Sequence, residues 1–127
     1  MHAQEILTQW MDHLNGGRPD DAVALYAADA TLVPTFSANT VNSHEGIQGY
    51  FDSLSQHPDL DVVIHEQTVC EQALTEQIFI LTGLYTFCFT VEGQRRAFEA
   101  RFTFVIDLSL SSPIRHHHSS QIPRAPG

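Results

Sequence analysis

The sequence predicts an α+β fold in which three N-terminal helices pack on a strongly curved, mainly antiparallel sheet. Apolar residues in the first half of the chain recur at three- and four-residue spacing, as on one face of a helix. From residue 61 onward, long segments rich in β-branched and aromatic residues alternate with turn residues, as in strands. Helices followed by a run of strands favour an α+β architecture. Because long strands curl, we expect a concave space between sheet and helices that suits a small ligand.

Length and composition limit the number of domains and the cellular location that the sequence allows. The chain has 127 residues, of which 43% are hydrophobic, and this suits one domain over residues 1–127. Residues 121–127 contain two prolines and are expected to form a loose tail. No apolar run reaches the roughly 20 residues that span a membrane, and the N-terminus lacks the pattern of a secretory signal. We therefore expect a cytoplasmic protein without a membrane partner.

The charge excludes one class of partner. The net charge is −9, and all six basic residues are arginines. Nucleic acid is a poor partner for such a chain, because binding it requires a basic surface that displaces counterions. The two cysteines, Cys70 and Cys88, are expected to be free buried thiols of a reducing compartment.

Three segments have helical periodicity. The first helix is predicted over 3–15 and ends at Asn15-Gly16-Gly17, since glycine commonly follows a helix end. The second is predicted over 19–26, where Pro19 and two aspartates suit the first turn. The third is predicted over 44–56, with Ser43 as its cap. The apolar stripes of the first and third helices are formed by Ile6, Leu7, Trp10, Met11 and Leu14, and by Ile47, Tyr50, Phe51 and Leu54.

Five segments are predicted to be strands. A short strand over 31–35 is limited by Pro34, which cannot donate to a ladder. Longer strands are expected over 61–71, 76–91, 95–108 and 114–120, with a tight turn at 92–94. The strand over 95–108 alternates between an apolar face containing Phe98, Phe102 and Phe104 and a mixed face containing Arg101. We expect part of the phenylalanine surface to face a second subunit.

Five stretches of the chain together resemble a known family. They are LYAADATLVPT (25–35), HEGIQGYF (44–51), GLYTF (83–87), ARFTFV (100–105) and HHHSS (116–120). In their order and spacing the chain resembles the bacterial branch of the nuclear transport factor 2-like superfamily. More narrowly, it is similar to relatives of the association domain of calcium/calmodulin-dependent protein kinase II. The resemblance implies a cone-shaped, cystatin-like fold with an internal pocket, and homo-oligomers built from dimers.

The resemblance also implies candidate site residues. Arg101 falls on a pocket arginine of the association domains, and His116 and His118 match two histidines of their last strand. Gly83 and Ser119 stand where those domains carry further pocket arginines, which weakens the expectation of a strongly anion-binding pocket. The loop over 109–113 also lacks an apolar anchor that the association domains carry.

Arg101, His116 and His118 each have alternative interpretations. Arg101 either pairs with Glu99 or Asp107 on an exposed face, or lies in the pocket, where its planar fork suits a carboxylate. His116 and His118 lie on one strand face and are expected to hydrogen-bond along a polar strand. A shared metal, with a third ligand from His65, Glu66 or Glu99, is the weaker alternative. We expect neither a metal nor a cofactor.

Tyr85 and Glu99 complete the candidate ligand-binding set. Tyr85 either packs in the core or donates its hydroxyl to a ligand oxygen. Glu99 is the best available carboxylate for acid–base chemistry, but beside Arg101 it is expected to stay ionised as a salt-bridge partner.

The sequence therefore predicts a homo-oligomeric module, a homodimer or a larger ring, that binds a small ligand in a polar pocket of the cone. A small organic carboxylate is one candidate ligand. The alternative is a small-molecule enzyme of the isomerase, cyclase or hydrolase type that uses the same pocket, with no catalytic residue assigned.

Overall fold

The structure is a computed structural model that describes residues 2–123. In this part of the chain the helices are α1 (Ala3–Asn15), α2 (Pro19–Val23) and α3 (His44–Leu54). The strands are β1 (Tyr26–Val33), β2 (Asp61–Ile64), β3 (Cys70–Ala73), β4 (Ile78–Val91), β5 (Gln94–Asp107) and β6 (Ile114–Gln121). A single 3-10 turn, Glu66–Thr68, separates β2 from β3.

The strands form one open sheet in the order β1-β6-β5-β4-β2, with β3 pairing with β4 beside β2. Only β1 and β6 are parallel among the described strands; the other pairs are antiparallel. The predicted α+β architecture with a mainly antiparallel sheet is confirmed. The two 14-residue strands β4 and β5 are joined by a two-residue turn in which Glu92 and Gly93 both have positive φ, 51° and 80°. Two-residue hairpin turns favour this backbone because its twist matches that of the strands.

Helices α1 and α3 cover one face of the sheet, which we call the inner face. The buried stripe of α1 places Trp10 against Tyr85 of β4, with ring centroids 5.6 Å apart and nearly parallel planes. The end of α1 is tied to β2, because the Asn15 side chain donates to the Val62 carbonyl at 2.9 Å and accepts from the Val62 amide at 2.6 Å. Helix α3 begins at Ser43, whose hydroxyl accepts from the Gly46 amide as predicted.

The phenylalanines of the long hairpin lie on the inner face. Phe87, Phe102 and Phe104 are buried there, and Phe36 from the loop after β1 packs its edge against Phe98. The chain's own helices and loop cover most of this surface, and its contact with a second subunit stays a prediction. The opposite face, which we call the outer face, carries no helix among the described elements.

Several boundaries differ from the prediction. Strand β1 begins at Tyr26 rather than at residue 31, because residues 26–30 lie beside β6 instead of extending the second helix. The predicted strand over 61–71 is two strands, since β2 and β3 pair with different halves of β4.

Three further expectations can be placed. Both cysteines are free, but Cys70 is exposed rather than buried. Of the predicted tail, Gln121 ends β6, and residues 124–127 lie outside the described part of the chain. No helix within residues 2–123 is long and apolar enough to cross a membrane.

Candidate functional site

The five predicted ligand-binding residues do not share one pocket. Residues on β5 and β6 alternate between faces, so Arg101, His116, His118 and Glu99 lie on the outer face. Tyr85 lies on the inner face and is fully buried. The expectation of a single polar pocket inside the cone is corrected, because the helices cover the phenylalanine face of β5 and leave the arginine face outside. The role of these residues in ligand binding stays a prediction.

Arg101 lies in a depression of about 460 Å³ on the outer face. Its Nε donates to the Ser120 hydroxyl at 3.3 Å, and its neighbours in the lining include Thr82, Thr103 and His118. Within residues 2–123 Arg101 forms no ion pair. The predicted alternative of a pair with Glu99 or Asp107 is therefore wrong. Glu99 forms no ion pair with Arg101, and the Asp107 carboxylate accepts from Ser109 and lies 4.0 Å from Arg115.

The histidine run does not build a metal centre in the described residues. No group of three histidine, cysteine, aspartate or glutamate side chains there is arranged to hold a metal ion. His65, named as a third ligand, instead bonds the Thr86 hydroxyl through Nε2 at 2.7 Å.

Gly83 and Ser119, where the resemblance implies arginines in the association domains, lie at closely packed positions of this structure. A Cβ atom at Gly83 would lie 2.8 Å from Cζ of Phe102 and 3.2 Å from the Thr68 hydroxyl. Because the Phe102 ring is buried, a larger side chain there requires repacking. Ser119 is buried on the inner face, where its hydroxyl bonds that of Thr35.

A second and larger concavity opens on the inner face. It measures about 710 Å³ and lies between the C-terminal half of α3, the loop after β1 and the turn end of the β4–β5 hairpin. Its walls are mainly aromatic and aliphatic, with a few hydroxyl, amide and imidazole groups: Phe36, Ser37, Tyr50, Ser53, Leu54, Gln56, His57, Phe89, Val91 and Phe98. We call this the inner cavity.

The aromatic residues in the walls of the inner cavity pack against one another. The Phe36 ring meets Phe89 and Phe98 edge-on, with centroids 5.5 and 5.3 Å apart. His57 lies over Phe89 at 4.3 Å. The Tyr50 hydroxyl accepts from the Phe36 amide at 3.3 Å, which fixes the loop over the cavity. These contacts fix the positions of the rings that line the cavity.

Behind this cavity a chain of buried polar groups crosses the core. The Trp10 Nε1 donates to the Tyr26 hydroxyl at 3.0 Å, and that hydroxyl meets Nδ1 of His117 at 2.7 Å. On the other side of the imidazole, Nε2 meets the Tyr85 hydroxyl at 3.0 Å. The imidazole also stacks on Phe104 with centroids 3.8 Å apart.

Burial sets the ionisation of this chain. It lowers the pKa of His117 well below the usual value, and the nearby His116 and His118 lower it further. Burial also raises the pKa of Tyr26 and of Tyr85. The Ser119 hydroxyl beside Tyr85 partly offsets the rise in the pKa of Tyr85. All three groups are therefore neutral at physiological pH, as buried groups without an opposite charge must be.

Sequence reasoning missed Tyr26, His117 and Tyr50 as site residues. The sequence predicts Tyr26 at the end of the second helix, and His117 is not among the predicted site residues. Strand alternation separates His117 from His116 and His118, and the pairing of His117 with Phe104 in the structure shows that it is His117 that lies on the core face.

Comparison with known proteins agrees with this architecture. Residues 7–109 match the family model of the SnoaL-like domain. The chain belongs to that family. Its fold is the nuclear transport factor 2-like, cystatin-like fold that the sequence resemblance predicted. No curated protein sequence matches the chain.

Three solved structures illustrate the range of similar proteins. One, assigned as a calcium/calmodulin-dependent protein kinase II association domain from Xanthomonas campestris, is 30% identical with a TM-score of 0.84, covering 98% of this chain and 91% of its own. One from Streptomyces avermitilis, assigned as a dehydratase of the NTF2-like family, is 10% identical with a TM-score of 0.81, covering 95% and 94%. An uncharacterized protein with a cystatin-like fold from Caulobacter vibrioides is 11% identical with a TM-score of 0.78, covering 94% and 87%. The last two show the fold alone.

The neutral His117 predicts a specific pH dependence of stability. The unfolded chain takes up a proton at this residue near pH 6.5, whereas the folded chain does not. The free energy of unfolding should therefore fall as the pH falls below about 6.5, by up to about 1.4 kcal/mol per pH unit from this group. Replacing it, His117→Gln, should reduce the slope, which urea denaturation at about pH 7.5 and about pH 5.5 measures.

His44→Gln is the control, because His44 is exposed on α3. This variant should keep the slope of the unmodified protein. A His117→Gln protein with the original slope would contradict the assignment of a neutral, buried imidazole.

Proposed function

We propose that the protein is a homodimeric module that binds a neutral, largely apolar small molecule in the inner cavity. The observation that carries the proposal is this cavity of about 710 Å³ with Phe36, Tyr50, Phe89 and Phe98 in its walls. Small-molecule sites are typically concave, mostly apolar and equipped with a few polar groups that orient the ligand. Tyr50 supplies such a group.

The charge of the lining supports a neutral ligand. None of the ten lining residues is an aspartate, glutamate, lysine or arginine. An ionised ligand would lose hydration on entry without gaining an opposite charge, which is unfavourable. The aromatic rings instead provide contact area for a planar or aliphatic molecule.

The homodimer is proposed to form through the outer face of the sheet. Ile80, Leu84 and Val105 are half-buried on that face, and Val63 beside them is 43% exposed. The similar Xanthomonas campestris protein carries the name of an association domain. A sheet face that exposes apolar residues and has no covering helix is stabilised by a second copy of the same surface.

Arg101 favours a second candidate function, the binding of a small organic carboxylate on the outer face. Its guanidinium has the Ser120 hydroxyl as a partner, and threonine hydroxyls and His118 complete the depression. A planar fork of donors suits a carboxylate. A dimer formed through this face would enclose the depression between the two copies.

Binding is preferred to catalysis for this chain. Proton abstraction in a dry pocket usually relies on a carboxylate or histidine with a shifted pKa. The inner cavity has no carboxylate in its lining, and its one histidine, His57, packs against Phe89, whereas the buried His117 lies behind the wall. The dehydratase-like relative is too distant in sequence to bring its chemistry to this chain.

The first test is binding of 2-acetylnaphthalene, a neutral aromatic probe, measured by calorimetry. We expect saturable binding that weakens about tenfold in Phe98→Ala, because the ring in the cavity wall is removed. Phe79→Ala is the matched control. Phe79 is also half-buried on the hairpin but lies outside the cavity lining, so its loss should leave affinity unchanged. Equal weakening in both variants, or no binding in the unmodified protein, would sink the proposal.

The second test is the mass in solution. Light scattering at micromolar concentration should give twice the mass of the chain. Val63→Glu, on the outer face, should weaken the dimer at least about tenfold because it buries a charge at the contact. Leu110→Glu is the control, since Leu110 is similarly exposed at 39% but lies in the loop between β5 and β6. A monomer in the unmodified protein would refute the dimer.

The third test addresses the Arg101 depression with benzoate as the probe. Arg101→Gln should weaken benzoate binding about tenfold or more, since a hydrogen bond to a charged group contributes about 1.5–3 kcal/mol. Arg96→Gln makes the same charge change on the same strand, at an exposed position outside the depression, and should have little effect. An equal loss of benzoate affinity in the two variants would show that only the net charge matters, and would contradict a binding site at Arg101.

A further inference from the structure

The loop after α3 is tied to the turn end of the β4–β5 hairpin by one residue, Asp59. Its carboxylate accepts from the Thr90 amide at 3.2 Å and from the Thr90 hydroxyl at 2.6 Å. The Arg95 guanidinium donates to the same carboxylate at 2.8 Å and to the Asp59 carbonyl at 3.0 Å. Four hydrogen bonds therefore converge on Asp59, and we call this set the Asp59 latch.

The latch lies on β4 just beyond the end of β2. The pairing of β2 with β4 ends at Asp61 and Cys88, so the Thr90 amide has no strand partner on this side. A backbone N–H at such a position needs another acceptor, which Asp59 provides. Arg95 stands opposite Thr90 on β5 and supplies the opposite charge. The bonds from Thr90 lower the pKa of Asp59, so its carboxylate is ionised at neutral pH.

The turn that carries Asp59 also carries a wall residue of the inner cavity. This turn is closed by a hydrogen bond from the Leu60 amide to the His57 carbonyl at 3.2 Å, and Pro58 occupies its second position, where a fixed φ is favourable. The His57 ring lies over Phe89 with centroids 4.3 Å apart, while Asp59 bonds the residue that follows Phe89. The latch therefore holds the wall that carries His57 against the hairpin.

The aromatic rings at this wall lie nearly parallel. The plane of Phe89 is 32° from that of His57 and 28° from that of Phe98, whose centroid is 5.1 Å away. All three rings line the inner cavity. A flat ring system can continue such a stack with its whole face in contact, whereas a globular apolar molecule touches the stack over a small area.

We infer that Asp59 is a positioning residue, and that by holding His57 on Phe89 it makes the inner cavity selective for planar ring systems. The inference rests on the proposed function and specifies its ligand class. Asp59 is not part of the lining, so its effect passes through His57 and Phe89. A wall that is fixed in advance favours the ligand that fits it, because binding then does not have to order the wall.

The first experiment compares two neutral probes by calorimetry, the flat 2-acetylnaphthalene and the globular 1-acetyladamantane, which carry the same acetyl group. In Asp59→Ala the ratio of the flat probe's affinity to the globular probe's affinity should fall about tenfold, because the flat probe loses the ordered stack while the globular probe gains room. Asp61→Ala is the matched control, since Asp61 is an exposed carboxylate at the start of β2 that lies outside both the latch and the lining.

Arg95→Gln is a milder variant that removes two of the four bonds and keeps those from Thr90, so it should lower the ratio by a smaller factor. If both probes bind and the ratio in Asp59→Ala is unchanged, or falls equally in Asp61→Ala, the inference is overturned and the proposed cavity stands. If neither probe binds the unmodified protein, the proposed function falls and the inference falls with it.

The second experiment follows the latch by NMR without a ligand. The exchange rate of the Thr90 amide proton measures the bond to Asp59, and cross-relaxation between the ring protons of His57 and Phe89 measures their contact. We expect Asp59→Ala to accelerate the exchange and to weaken the ring contact, whereas Asp61→Ala changes neither. Undiminished ring contact in Asp59→Ala would overturn the inference, whatever the probes do.

Discussion

The buried imidazole of His117 constrains the rest of the fold. A polar ring in the core must be satisfied at both nitrogens, because an unpaired buried group costs about 1–3 kcal/mol. Its two partners come from β1 and β4, on either side of the β6–β5 pair, and the hydroxyl from β1 is itself held by Trp10 of α1. The buried His117 is therefore satisfied only when the strand order, the strand register and the position of α1 bring these partners to its ring.

This constraint also separates the two faces of the sheet. His117 and the phenylalanines turn inward, so the residues between them turn outward, and Arg101 and His118 reach solvent. The inner face is closed by α1 at one end and left open by the short α3 at the other, where the cavity lies. The same alternation that fills the core thus places an aromatic site on one face and a cationic depression on the other.

The sequence predicted those helices and strands whose apolar residues recur with a clear period. The stripe of α1, the cap and stripe of α3 and the long hairpin follow from local patterns, and the structure has them within a few residues. The start of β1 did not follow, because Ala27, Ala28 and Ala30 have no strand preference and the parallel partner β6 supplies it. The break between β2 and β3 depends on which half of β4 each strand meets, which is a tertiary property.

The candidate site was less predictable for a similar reason. Alternation separates His117 from His116 and His118, but it does not tell which set lies inside. The sequence predicts Arg101 as a candidate pocket residue, and the structure places it on the outer face, where its charge keeps its hydration. The sequence predicts Tyr50 in the apolar stripe of a helix, and its place in a cavity wall depends on Phe36, 14 residues away along the chain. The resemblance to the association domains predicted the fold, but it did not predict which face of the sheet carries Arg101, His116 and His118.

The chemistry of Tyr50 distinguishes binding from catalysis in this cavity. Burial raises the pKa of Tyr50, and contacts with Phe36 and Thr35 only partly oppose it, so the hydroxyl stays protonated and donates. A donor of this kind holds a carbonyl oxygen and would stabilise negative charge that develops on it. Removal of a proton needs a separate base, and in the lining only His57, stacked on Phe89, is of that type. The lining of the inner cavity thus offers the Tyr50 hydroxyl as a hydrogen-bond donor and the His57 imidazole as its one group of the base type.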